Sequence, residues 1–114
     1  MENNSFNTDL KFNDDRVRIQ LILETSFSKE MRILLKKGQV MKEHRAPYPI
    51  VVHLLEGSLD FGIEGKANPL HKGDILTLEG KVPHDLLALE DSIVRLTISS
   101  LDKAARVEEV AQKL

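Results

Sequence analysis

The chain has 114 residues, no cysteine and a formal net charge of −2. The length fits one domain with a core of its own, and the missing thiols exclude disulfides, thiolate zinc sites and cysteine nucleophiles. The near-balanced charge excludes the basic footprint of a nucleic-acid-binding surface. With no basic leader and no long apolar run near its start, the chain is expected to lack a signal peptide and a membrane span, and to be soluble and cytoplasmic.

The first residues, MENNSFNTDL, are polar and read as a loose arm, or as a strand that orders on a partner. RVRIQLIL (16–23) alternates, which puts Val17, Ile19, Leu21 and Leu23 on one face of a strand. MRILL (31–35) is short and apolar and ends at KKG. PIVVHLL (49–55) is apolar after its proline, and EG at 56–57 turns the chain into SLDFGI (58–63), a hairpin signal. EGKANP (64–69) reads as a turn, HKGD (71–74) as another, and ILTL (75–78) follows as a strand. EGKVP (79–83) is a further turn, HDLLAL (84–89) a strand, EDS (90–92) a turn and IVRLTI (93–98) the last strand. Turns thus recur roughly every eight to twelve residues, the rhythm of an all-β sandwich or barrel. The period then changes. Val107, Val110, Ala111 and Leu114 follow i, i+3, i+4, i+7 spacing, and Ser99 with Asp102 three residues later fits an N-cap. A terminal helix is predicted over about 100–113, laid against an open end of the barrel or against a partner. The expected organisation is a flexible arm over 1–12, a barrel over 13–99 and a C-terminal helix over 100–114 of the same domain.

Two glycine–histidine blocks stand out. In the first, Gly38 is followed by five residues, then His44, Arg45, Ala46, three residues, Ile50, six residues and Gly57. In the second, Gly73 is followed by five residues, then Glu79, Gly80, Lys81, two residues, His84, three residues and Ala88. This spacing resembles the two motifs of the cupin superfamily: Gly, five residues, His-x-His, three or four residues, Glu, six residues, Gly; and Gly, five residues, Pro-x-Gly, two residues, His, three residues, Asn. The resemblance spans about residues 30–98 and implies a double-stranded β-helix, the jelly-roll barrel. The runs EHRAPYP (43–49) and VPHDLLALEDSIVRLT (82–97) are also similar to a set of small single-domain cupins whose roles are generally unassigned.

The departures from the pattern bear on function. In the family the two histidines of the first motif, its glutamate and the later histidine hold a metal. Carried over by position, His44 and His84 remain, Ala46 stands for the second histidine and Ile50 for the glutamate. In the second motif Glu79 stands for the Pro, Lys81 for the second Gly and Ala88 for the Asn. A catalytic zinc normally takes three protein ligands and an iron oxygenase two histidines and a carboxylate. An isoleucine wall also raises the cost of holding a divalent charge. No cofactor is therefore expected, with His44 and His84 the candidates should a divalent metal bind. If His44, Ala46, Ile50 and Val52 face inward, His53 faces outward. His71 is placed in a turn, and Asp85 points away from its neighbour His84.

Three functions fit these residues. The first is a non-catalytic barrel that binds a small molecule in an apolar pocket lined by His44, Ala46, Ile50, Val52 and His84. The second is a cupin enzyme, either a metal-dependent oxygenase with a two-histidine site completed by solvent, a bound acid or another subunit, or an isomerase-like catalyst with His84 as base. The third is a structural homodimer, built through strand 49–55 and the N-terminal arm. The two histidines can also be satisfied core residues with no further role. No serine sits in a nucleophile elbow. After the last strand only about sixteen residues follow, one helix rather than a DNA-binding domain, so no nucleic-acid or membrane partner is expected.

Overall fold

The computed structural model describes residues 1–112. Its elements in chain order are β1 (Arg18–Glu24), β2 (Ser28–Leu35), β3 (Val40–His44), β4 (Ile50–Glu56), β5 (Ser58–Ile63), β6 (Lys66–His71), β7 (Ile75–Leu78), β8 (His84–Ala88), β9 (Ser92–Ser99) and α1 (Ala104–Gln112). The strands pair as β2 with β9, β3 with β8, β4 with β7 and β5 with β6, all antiparallel. The chain is therefore one long hairpin folded over on itself, with its tip at the β5–β6 turn. That nesting is the jelly-roll arrangement. It yields two sheets, ordered β1-β2-β9-β4-β7 and β3-β8-β5-β6. No helix among the described residues is long and apolar enough to cross a membrane.

The core lies between the sheets and follows the two-residue period of the strands. Met31, Ile33 and Leu35 of β2, Ile50, Val52 and Leu54 of β4, and Val94, Leu96 and Ile98 of β9 come from the larger sheet. Leu59 and Phe61 of β5 and Leu86 and Ala88 of β8 face them from the smaller one. Strand β2 is buried on both faces. Its outer face carries Glu30 and Arg32, both buried. The Arg32 guanidinium donates to the carbonyls of Phe6, Thr8 and Asp9 and to Gln20 Oε1. Glu30 accepts from Ser28, Thr97 and Arg95, and these hydrogen bonds outweigh its burial and hold its carboxyl below the usual range.

Several local expectations are corrected. The alternation along β1 breaks at a bulge between Leu21 and Leu23, so Leu21 pairs with core-facing Met31 while Leu23 pairs with Glu30 on the opposite face. EGKANP is a turn only at Glu64 and Gly65, after which the chain runs as strand β6, ending at His71. Strand β2 begins three residues earlier than its apolar run, at Ser28. The terminal helix begins at Ala104, because Ser99–Asp102 forms a turn in which the Asp102 amide donates to the Ser99 carbonyl. Asp102 lies two residues ahead of the helix and accepts from the Lys103 amide. Val107, Val110 and Ala111 are buried as their spacing predicts, and α1 lies against β1 and β3. Position 113 and Leu114 lie outside the described residues.

Candidate functional site

The β3–β8 ladder sets His44 directly opposite His84. Their rings meet edge to face with centroids 4.2 Å apart. Phe61, on the neighbouring strand β5, stacks almost parallel to His84 at 5.7 Å, so the pair is joined to the apolar core through one aromatic ring. His84 is buried and His44 partly so.

Each imidazole is oriented by its own chain. His44 Nδ1 lies 2.8 Å from the Lys42 carbonyl oxygen, and His84 Nδ1 lies 2.9 Å from that of Val82. A carbonyl only accepts, so each Nδ1 carries the proton and donates it. In the neutral ring the other nitrogen, Nε2, then holds a lone pair. Burial is the main influence on both groups and lowers their proton affinity, bringing His44 to about 4. The carbonyl hydrogen bonds act in the opposite sense, and the nearby charge of Arg106 adds to the lowering. Both rings are thus uncharged at neutral pH and present two acceptor nitrogens.

The other three pocket candidates are all buried. Ala46 lies in the β3–β4 loop, where its carbonyl accepts from the Lys81 amide at 2.7 Å. Ile50 and Val52 lie on β4 in the opposite sheet and pair across it with Leu78 and Leu76. They belong to the same apolar cluster as Phe61, whereas the direct contact in the set is that between His44 and His84. The β3–β4 and β7–β8 loops close over this end of the barrel. Gly80 lies so near the Pro47 carbonyl that a Cβ there would sit at 2.9 Å. Lys81, beside it, adopts a φ of 70°, the left-handed region that favours the glycine it replaces in the cupin motif. Asp85 is exposed and lies over Gly62, away from the histidine pair.

Helix α1 adds a residue that strand spacing does not reveal. Arg106 and His44 line one open hollow of about 310 Å³, together with Glu43, Arg45, Glu109 and Val110. Arg106 is held in place by Asp102, donating from Nε at 2.7 Å and from Nη2 at 2.6 Å. The four-residue spacing of acid and arginine foretells that ion pair. Its position beside the histidines depends on how the helix docks.

A resident divalent metal does not fit these residues. Two imidazoles converge, Ala46 and Ile50 occupy the positions of further donors, and a guanidinium lies close enough to lower the basicity of both rings. Among the described residues no group of three or more His, Cys, Asp or Glu is placed to hold an ion.

The sequence profile described as "Cupin domain" matches residues 31–100. Among solved structures, the chain is similar to an RmlC-like cupin protein from Desulfovibrio desulfuricans, at 25% identity and a TM-score of 0.80, over 87% of this chain and 96% of that one. It is similar to an RmlC-like cupin from Shewanella frigidimarina, at 21% identity and a TM-score of 0.73, over 87% and 91% of the two chains. KdgF from Halomonas sp. shares 19% identity and a TM-score of 0.72, over 87% and 94%. No protein of curated function matches the sequence.

Proposed function

The chain belongs to the cupin domain family, and from that premise we propose that it is a non-catalytic barrel that binds a small molecule at the His44–His84 pair, on the remains of a metal site. One observation carries this reading. Each ring spends its Nδ1 proton on the carbonyl two residues before it in the chain, which leaves two uncharged acceptor nitrogens at the edge of an apolar core. Few, fixed polar groups on an apolar wall are the ordinary make-up of a ligand pocket. Ala46, Ile50 and Val52 supply the apolar part.

A second reading draws on the same detail. An imidazole whose Nδ1 is anchored to a carbonyl is also oriented as an Nε2 metal ligand. A two-histidine enzyme site, completed by solvent or by another subunit, is therefore the alternative. Metal analysis of chelator-free, untagged protein separates the two. The binding-barrel reading expects metal far below one per chain, and a rise in melting temperature with some member of a metabolite library. A ligand at about 100 times its Kd adds about 2.7 kcal/mol. Near-stoichiometric metal that disappears in His84→Ala would reverse the choice.

A further inference from the structure

The arginine that α1 brings to the histidine pair has one edge unused. Asp102 is buried and takes two of its three nitrogens, Nε and Nη2. Nη1 is also buried, and among the described residues it is the one buried side-chain nitrogen or oxygen without a hydrogen-bond partner. A buried donor left unpaired is costly, and more so on a charged group. Such an atom calls for an acceptor from outside the chain.

The surroundings say what kind of acceptor. Arg106 shares its hollow with His44, and that hollow is lined by two cations, Arg45 and Arg106, and two acids, Glu43 and Glu109. Their charges balance before Asp102 is counted. A dianion such as phosphate meets here a guanidinium already paired with Asp102, and two further carboxylates that repel it more strongly than they repel a single charge. A monocarboxylate meets less repulsion. The imidazoles add acceptors and no charge, so they suit a hydroxyl that donates.

We propose that Arg106, His44 and His84 bind a small monocarboxylate with a neighbouring hydroxyl, of which a 2-hydroxy acid is the simplest kind. The carboxylate accepts from Arg106 Nη1 and the hydroxyl donates to an Nε2 of the pair. This assignment rests on the reading of the barrel as a small-molecule site, and it adds α1 to that site.

The test follows the histidine ring signals of the full chain by NMR at constant ionic strength. Glycolate is titrated against acetate, ethylene glycol and inorganic phosphate. The expected result is a saturable shift of the His44 and His84 signals with glycolate, about tenfold weaker with acetate, and none with the other two. Arg106→Lys, which keeps a charge beside Asp102 but loses the second N–H edge, weakens glycolate about tenfold. The pair Asp102→Asn with Arg106→Gln, which leaves no lone buried charge, does the same. Glycolate binding unchanged in both variants overturns the proposal, as does an absence of any glycolate shift. If neutral metabolites from the wider library bind while carboxylates do not, the carboxylate assignment falls and the binding barrel stands. If nothing in the library binds, both fall.

Discussion

His44 and His84 are cross-strand partners whose ring centroids lie 4.2 Å apart, and neither is built to carry a positive charge at neutral pH. An unfolded histidine titrates near 6.5, whereas burial holds folded His44 at about 4 and lowers His84 as well. Between those values the unfolded chain takes up protons that the folded chain refuses. The stabilising contribution is therefore complete above the unfolded pKa and is lost as pH falls toward about 4. The limiting slope is about 1.4 kcal/mol per pH unit for each ring, lessened for His44 by its partial exposure. Urea titrations at pH about 7 and about 5 should show the loss, and His44→Gln should flatten it. A wild-type stability that does not change over that span would mean that the rings protonate freely in the fold.

The Asp102–Arg106 pair should behave asymmetrically. Arg106→Ala leaves a buried carboxylate facing the helix entry, with the Lys103 amide as its remaining donor. The expected loss is about 3 kcal/mol. Replacing both partners, Asp102→Asn with Arg106→Gln, should cost less than Arg106→Ala alone, since no charge is stranded. Chemical denaturation of the three proteins checks this. Equal losses for the single and double variants would mean that Asp102 is solvated.

Gly57 cannot carry a side chain. It has a φ of 96°, and a Cβ there would meet Ser92 Oγ at 2.2 Å and the Asp91 carbonyl oxygen at 2.5 Å. The β4–β5 turn is packed against the start of β9 on backbone atoms, so no side-chain rotation relieves the contact. Gly57→Ala should destabilise by about 2–4 kcal/mol. Gly65→Ala, also at positive φ but in open space, should cost about 1 kcal/mol. Melting temperatures in that order support the packing argument, and the reverse order contradicts it.

These contrasts show what the sequence could carry and what it could not. Strand β4 and the Gly57 turn were legible because an apolar run met a glycine that the backbone requires. Strand β6 was hidden by Pro69, which reads as a breaker. It is tolerated because β6 is the edge of its sheet, where a missing N–H need not face a partner strand. Strand β3 was hidden by its bulge and by the exposure of Val40, Lys42 and Glu43. The histidine pair was legible because the spacing of both blocks resembles the cupin motifs, whose histidines converge; the β3–β8 register then sets His44 against His84. Arg106 was not legible in the same way. Its sequence neighbourhood forecasts the ion pair with Asp102, but its place beside the histidines comes from a helix docking across β1 and β3, a long-range event with no local pattern.

The apolar replacements in the first motif can be tested by undoing them. Ile50 is buried in the core and has no partner for a charge, so Ile50→Glu alone should destabilise the protein by about 2–4 kcal/mol. Adding Ala46→His gives three imidazoles and one carboxylate, enough donors for a closed zinc site if the two loops hold them in register. The double variant should then take up zinc near one per chain, and zinc should restore the stability that Ile50→Glu removed, because an ion bound to the native state alone stabilises it. Chelator should reverse the gain. Wild-type protein treated in parallel should show neither uptake nor stabilisation. Zinc uptake by the double variant without the wild type would assign the difference to Ala46 and Ile50. Failure of the double variant would show that position 50, on the sheet opposite the histidines, does not reach them, and that the barrel departed from metal binding in its shape as well as in its donors.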